Sequence, residues 1–303
     1  MKKYLCLFLF GLICFFPVRG QVLINEYSAA NYDTYQDNYG EYEDWLELYN
    51  PSANPIDVSG WHLTDKSANP TKWMIPSSFV IPAMGTVVVY CSGRDEVVGG
   101  NAHSNFRITQ TKGNEVLMLS DASLVFQDSI RVVPNQNSHT RGRETDGSSN
   151  WSVFTTGTPG SSNTGAMQEY AETPVFSQTG GYNSSAVNLV LTSPDPGATI
   201  YYTTNGDEPS NLSTVYSIPI NITNTTVVKA ISYSADPLVP PSFIDYHTFF
   251  VNDTHTIPIL SVSGNSGTGG LMDLLDGGWG SSSLEPEGTI EWFDKNGVLL
   301  DKG

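Results

Sequence analysis

Between Leu23 and Asn252 the sequence consists of short runs of alternating or β-branched residues, each closed by Gly, Pro, Asn or Asp. This pattern is typical of β-strands joined by turns. Regularly spaced short strands predict antiparallel β-sandwiches, and a chain of 303 residues is too long for a single one. We therefore expect an all-β protein with at least two sandwiches in tandem. The runs include WLELYN, GTVVVYC, EVLMLSD, VNLVLTS, ATIYYTT and TTVVKAISYSA.

Two interruptions of the strand pattern predict domain boundaries. Residues 157–172, GTPGSSNTGAMQEYAE, are rich in Gly, Ser, Thr and Asn, the composition of a flexible linker. A second interruption lies at residues 252–257. We expect one sandwich over residues 21–164, a linker over 165–172 and a second sandwich over 173–253.

The remaining residues, 254–303, begin with a Gly- and Ser-rich stretch that predicts a loop. They end on TIEWFDKNGVLLDKG, which predicts a β-hairpin with its turn at Asn296-Gly297. About fifty residues are too few to bury a hydrophobic core unaided. We therefore expect this region to be an incomplete, truncated C-terminal segment.

The first twenty residues, MKKYLCLFLFGLICFFPVRG, place two lysines before an apolar run and then small residues, as a secretory signal does. The run is short for a bilayer span, so we predict no transmembrane segment. The expected product begins near Gln21 and is secreted, to the extracellular medium or the cell envelope. Among its residues only Cys91 is a cysteine, which predicts no internal disulfide.

The charge balance is strongly acidic, with 31 acidic against 14 basic residues. Without Lys2, Lys3 and Arg19 of the signal, 11 basic residues remain and the net charge is −20. Such a surface repels phosphate backbones, so we predict no nucleic-acid partner. The basic segment HTRGRE, around Arg141 and Arg143, is predicted to be an exposed turn.

The stretch DWLELYNPSANPIDVSGWHLTD, residues 44–65, combines two predicted strands with the turn between them. Alternation of period two places Leu46 and Leu48 on the inward face, with Trp45, Glu47 and Tyr49 on the other face. The following Asn-Pro pair stops the first strand. A glycine before Trp61 then permits a bulge or tight turn, so the segment is predicted to be framework.

These motifs resemble the lamin tail domain in its secreted bacterial form. The resemblance implies an immunoglobulin-like sandwich over residues 22–164 and indicates little about biochemical function. Thr145 stands where family members usually have the proline of a Pro-Asp-Gly turn. The matching motifs are INEY (24–27), DWLELYNPS (44–52), IDVSGWHLTD (56–65), KWMIP (72–76), IPAMGTVVVYCSG (81–93), HSNFRI (103–108), EVLMLSD (115–121) and GRETDGSSNWSVFTTGTPGSSN (142–163).

Residues 173–253 resemble the small β-sandwich, similar to fibronectin III domains, that is appended to chitobiases and β-hexosaminidases. The distinctive part is Gly197 to Pro209, with a hairpin turn at Asn205-Gly206. In such enzymes this module is an accessory, so no glycosidase carboxylates are implied. Residues 254–303, from IPILSVSGN to IEWFDKNG, resemble the start of the CotH kinase family.

An acidic loop, DTYQDNYGEYED, occupies residues 33–44. Calcium takes six to eight oxygen ligands in flexible geometry, and this loop offers carboxylates, an amide and backbone carbonyls. It does not have the EF-hand spacing. The loop therefore has two interpretations, a calcium site or a solvated acidic loop. The candidate calcium ligands are Asp33, Asp37, Glu41, Glu43 and Asp44.

The sequence contains no catalytic constellation that we recognise. The five histidines have no metal-binding spacing, and no GxSxG elbow or phosphate-binding glycine motif occurs. The adjacent acids Asp207 and Glu208 are explained by turn chemistry beside Pro209. The tyrosines and Trp151 permit two interpretations, a sugar-stacking platform or, more often in strands, core packing.

Two functions are consistent with these observations. The first is a non-catalytic, exported binding or spacer array that recognises a protein or polysaccharide at the cell surface. The second is the N-terminal part of a secreted, atypical protein kinase of the CotH type, whose catalytic residues would lie outside this chain. A kinase needs a phosphate-binding lysine and metal-binding acids, and the sequence after Thr256 provides neither motif.

Overall fold

A computed structural model describes residues 22–267, 270–275 and 287–303. The predicted secretory signal lies outside these residues, as does part of the loop predicted after residue 263. Nearly all regular structure in the described part is β-strand, with one five-residue helix, α1 (Leu271–Leu275). The prediction of an all-β fold is therefore confirmed. No described helix is long and apolar enough to cross a membrane.

Strands β1 to β13 are β1 (Leu23–Ser28), β2 (Trp45–Asn50), β3 (Ile56–Asp57), β4 (His62–Thr64), β5 (Trp73–Met74), β6 (Val80–Ile81), β7 (Gly85–Tyr90), β8 (Glu96–Val98), β9 (Asn101–His103), β10 (Val116–Ser120), β11 (Phe126–Arg131), β12 (Thr140–Arg143) and β13 (Trp151–Phe154).

Strands β14 to β25 are β14 (Val175–Phe176), β15 (Gly181–Asn183), β16 (Val187–Leu189), β17 (Leu191–Thr192), β18 (Thr199–Thr203), β19 (Thr214–Val215), β20 (Ile220–Ile222), β21 (Thr226–Tyr233), β22 (Asp245–Val251), β23 (Ile259–Gly264), β24 (Gly288–Phe293) and β25 (Leu299–Lys302).

The described chain divides into two compact units. The first comprises residues 22–25, 45–133 and 159–162. In it, β2, β7, β9 and β8 lie side by side in that order, and a second sheet has the order β11-β10-β4-β5. Strands β2 and β7 are antiparallel, with Leu46 opposite Val89, whereas β7 and β9 are parallel.

Strand β2 is buried along its whole length. Leu46 and Leu48 are fully buried, which confirms their inward placement. Trp45, Glu47 and Tyr49 are buried too, so the opposite face of this strand is also covered. Alternation alone separates the two faces of a strand but does not show whether the second face meets solvent.

The turn before Trp61 forms as the glycine predicts, because Gly60 has a φ of 75° that an L side chain rarely adopts. The Gly60 amide donates a hydrogen bond to the Ile75 carbonyl oxygen at 2.8 Å, and the Ile75 amide donates one to the Trp61 carbonyl oxygen. Trp61 itself is half-buried. The fully buried tryptophan of this region is Trp73 in β5, whose indole donates to Asp95.

The second unit comprises residues 26–44, 134–158 and 163–303. At its start the end of β1 pairs with β12, which pairs with β13. A five-stranded sheet has the order β15-β22-β21-β18-β19, and two short pairs, β14-β17 and β16-β20, accompany it. A core cluster around Leu189, Val228 and Phe249 holds these strands together.

The strands β23, β24 and β25 form a three-stranded antiparallel sheet that packs on β22 of the same unit. The ring of Phe293, which is fully buried, meets the ring of Phe250 edge-on at 5.2 Å. A Cβ at Gly181 would overlap the carbonyl oxygen of Gly297 in the predicted hairpin turn, which forms as expected. Phe293 of this C-terminal sheet thus gains a buried contact from Phe250 of β22.

Candidate functional site

The acidic loop is organised by hydrogen bonds within the chain. Asp37 Oδ1 accepts the amides of Tyr39 and Glu41 at 2.8 and 3.0 Å. Asn31, which the sequence did not single out, donates its side-chain amide to the carbonyl oxygens of Tyr35 and Glu43 at 2.6 and 2.9 Å. These bonds explain the course of the loop without a metal ion.

The five predicted calcium ligands occupy different surroundings. Asp37 and Glu43 are buried, whereas Asp33 and Glu41 are exposed, and Asp33 accepts a hydrogen bond from Ser138. Asp44 lies near the amide of Asn31 at 3.4 Å. In the part of the chain that the structure describes, no three acidic, histidine or cysteine side chains are grouped as metal ligands. Calcium binding at this loop stays a prediction.

The histidines occupy separate environments. His103 is fully buried, and its Nδ1 lies 3.0 Å from the hydroxyl of Ser92, which is also buried. His139 stacks on the ring of Tyr170, and burial lowers the pKa of this histidine. His247 lies 3.5 Å from Glu291. The Ser92–His103 pair has the atoms of a nucleophile and a base, but its burial keeps a substrate from reaching it.

Glu26, in the INEY motif, is a buried carboxylate that holds the segment after β13. It accepts hydrogen bonds from the Thr140 hydroxyl at 2.5 Å and from the amide and hydroxyl of Thr158 at 3.0 and 2.8 Å. At the neighbouring position Gly142, a Cβ would lie 3.0 Å from Glu26, Phe154 and Asn163, so a larger residue there would require these side chains to move. No role for Glu26 is predicted by the sequence, and only its place inside a strand indicates its burial.

Burial raises the pKa of Glu26, although its hydrogen bonds oppose that shift. A carboxyl group whose pKa is raised on folding binds its proton more tightly in the native state. Its favourable contribution is therefore fully present below 4.5, its ordinary pKa, and is lost as pH rises above 4.5 through the raised pKa of the folded protein. We expect the free energy of unfolding of Glu26→Gln to fall less than that of the natural chain between pH 4 and 7. Urea unfolding at both pH values measures this difference, and identical pH dependence of the two proteins would contradict it.

The segment predicted to be a linker, 165–172, is hydrogen-bonded from Met167 onward. The amide of Met167 donates to the Val153 carbonyl oxygen at 2.8 Å. The amides of Gln168 and Ala171 donate to the carbonyl oxygens of Leu238 and Pro240 at 2.8 and 2.9 Å.

Side chains reinforce this attachment. Arg141 forms a two-bond ion pair with Glu169, both bonds 2.7 Å long, and lies over the ring of Tyr170. The Tyr170 hydroxyl contacts His139 Nδ1 at 3.0 Å. Burial raises the pKa of Tyr170 to about 12. Composition predicted a flexible linker here, but from Met167 onward the segment is bonded to the rest of the second unit.

This attachment predicts slow amide exchange. The amides of Met167, Gln168 and Ala171 are expected to exchange with solvent deuterium at least about tenfold more slowly than that of Gly165, which is exposed. Hydrogen exchange followed by NMR measures each amide separately. Equal rates at all four positions would indicate a free linker.

The turn at Asp207-Glu208 does more than reverse the chain. Glu208 forms a 2.5 Å ion pair with Lys229, whose side chain is fully buried. The Glu208 amide donates to the side-chain oxygen of Asn265 at 2.8 Å, and Asp207 accepts the amide and hydroxyl of Ser266 at 2.8 and 3.0 Å. The turn thereby holds the chain that follows β23.

The aromatic residues are mostly paired with one another rather than arranged in a flat platform. Trp151 is half-buried and lies 5.9 Å from the ring of Tyr27, with Arg143 over its face. Tyr201 and Tyr233 form an edge-to-face pair at 5.3 Å. This pairing favours the packing interpretation for these four aromatic residues.

Tyr202 and Tyr216 pack against the core of the five-stranded sheet, with their rings edge-on at 6.4 Å. Beside Tyr216 the surface opens into a cleft of about 520 Å³. The turn at Asp195–Gly197 and strand β18 form part of its lining. The cleft lies wholly within the second unit.

A family model described as the chitobiase/beta-hexosaminidase C-terminal domain matches residues 178–236. No curated protein and no solved structure matches the chain. The resemblances to the lamin tail domain and to the CotH family stay predictions. The matched range contains β15 to β21 and all the residues that line the cleft. Residues 178–236 are therefore similar to the C-terminal domain of chitobiases and β-hexosaminidases.

Proposed function

We propose that this chain is a non-catalytic, exported array of β-sandwich modules that binds polysaccharide outside the cell. The observation that carries the proposal is the match of residues 178–236 to an accessory domain named after two carbohydrate-cleaving enzymes. A module of this kind supplies binding or spacing and leaves the chemistry to other domains.

Two further observations support the proposal. The excess of acidic residues disfavours polyanionic partners such as nucleic acids, whereas uncharged sugars are unaffected by it. The histidine and serine that could act as base and nucleophile, His103 and Ser92, are buried. The kinase alternative stays a prediction, and transfer of labelled phosphate from ATP to a protein substrate would favour it.

Co-sedimentation with insoluble polysaccharides tests the proposal. The purified chain is expected to sediment with chitin, and in smaller amounts or not at all with cellulose and starch granules. The matched control is the same chain unfolded in urea, from which binding should be lost. A folded chain that stays in the supernatant with every polysaccharide would overturn the proposal.

A further inference from the structure

The cleft beside Tyr216 combines an apolar floor with a polar rim. Leu191 and Ile200 line it and are almost completely buried, whereas Val215 lines it and is half exposed. Asp195 and Thr199 also belong to the lining and are half-buried. Such a mixture suits a ligand that has apolar and polar surfaces of its own.

Several polar groups in this lining have no partner within the described residues. In the Asp195 carboxylate, Oδ2 accepts a hydrogen bond from the Glu172 amide at 2.6 Å. Its other oxygen, Oδ1, has no hydrogen-bond partner among the described residues. The hydroxyls of Thr199 and Tyr216 likewise make no hydrogen bond to any described residue. These three polar groups, on residues that line one cleft, are therefore available to hydrogen-bond a ligand.

We propose that this cleft is the glycan-binding site of the chain and that it takes an internal stretch of an uncharged polysaccharide. A sugar ring has an apolar C–H face that packs on an aromatic side chain and hydroxyls around its edge that pair with carboxylates and hydroxyls. Tyr216 supplies the aromatic ring, while Asp195 and Thr199 supply edge partners. This inference rests on the proposed function and names its site.

The shape and charge of the cleft select among ligand classes. The cleft is open to solvent and is not an enclosed cavity, so a ligand need not enter it by its end. The carboxylate of Asp195 disfavours phosphorylated or sulfated ligands, because like charges repel. An uncharged glycan matches both features.

Titration calorimetry of the full chain with chitin hexasaccharide tests the site. Tyr216→Ala is expected to weaken binding at least tenfold. Asp195→Asn and Thr199→Val keep the size of their side chains and are expected to weaken it about fivefold each. The control is Tyr233→Ala, since Tyr233 is also half-buried in the same sheet, pairs with Tyr201 and does not line the cleft.

The outcomes separate this site from the wider proposal. Loss of affinity in the three cleft variants, with Tyr233→Ala within twofold of the natural chain, would support the cleft. Natural affinity in Asp195→Asn and Thr199→Val would overturn it while leaving polysaccharide binding at another surface. Absence of binding by the natural chain to this and every other glycan would overturn both. Far-ultraviolet circular dichroism confirms that each variant is folded.

Discussion

Glu208→Ala is expected to lower the free energy of unfolding of the second unit by about 3 kcal/mol or more. Lys229 is fully buried, and Glu208 is its ion-pair partner at 2.5 Å. Without that carboxylate, the ammonium group keeps a 3.5 Å contact with the Ser263 carbonyl oxygen and lacks its paired counter-charge. The free energy of unfolding falls because the buried ammonium group has lost its hydration and no longer has an ion pair to compensate for that loss.

The double variant Lys229→Met with Glu208→Gln separates the charge effect from packing. It removes both charges and preserves the approximate volumes, so its stability should lie near that of the natural chain. Urea unfolding followed by tyrosine fluorescence measures all three proteins. A cost below about 0.5 kcal/mol for Glu208→Ala, the usual range of surface substitutions, would contradict a buried ion pair.

Leu48→Ala is expected to destabilise the first unit by about 2–5 kcal/mol, as large-to-small changes in a core do. Leu48 has no exposed surface and lies opposite Val87 in the pairing of β2 with β7. The truncated side chain would lose the apolar contacts of three carbon atoms and leave a cavity. Because every residue of β2 is buried, little rearrangement is available to fill that cavity.

Met74→Ala is the matched control in the same unit, because Met74 is 60% exposed. Its cost should stay within about 0.5 kcal/mol. Thermal and urea unfolding of both variants give the comparison. Equal stability of Leu48→Ala and Met74→Ala would mean that β2 does not contribute to the core.

The strands themselves were predictable because their residues carry a local signal. The runs around Leu46, Val89, Leu117 and Val228 all form strands with buried apolar side chains. What alternation does not encode is the environment of the second face, which depends on residues distant in sequence. For that reason Glu47, assigned to the face opposite Leu46 and Leu48, proved to be fully buried.

Buried polar contacts were the least predictable part of the molecule. Glu26 accepts a hydrogen bond from the hydroxyl of Thr158, 132 positions away in sequence, and no short sequence motif predicts such a pair. Glu208 shows the same limit, because turn chemistry accounts for its backbone but not for its bond to Lys229. The composition of residues 157–172 likewise predicted a flexible linker, whereas the amides of Met167, Gln168 and Ala171 donate to carbonyl oxygens distant in sequence.

The candidate cleft was also beyond sequence analysis. Asp195 and Tyr216 are separated by twenty-one positions and lie on different turns and strands, so only the fold brings them to one surface. The sequence did indicate the module that carries them, since the hairpin from Gly197 to Pro209 belongs to the range that matches the family model. A local pattern thus predicted the module, and the pairing of strands created its cleft.

Backbone amide NMR shifts of the full chain during titration with chitin hexasaccharide test the central claim most directly. The predicted result is a saturable set of shifts concentrated in residues 191–200 and 215–216, with the amides around His103 and Glu26 unchanged. The absence of any saturable shift with this or other uncharged oligosaccharides, in a chain whose spectrum shows it to be folded, would contradict the claim that this chain is a polysaccharide-binding array.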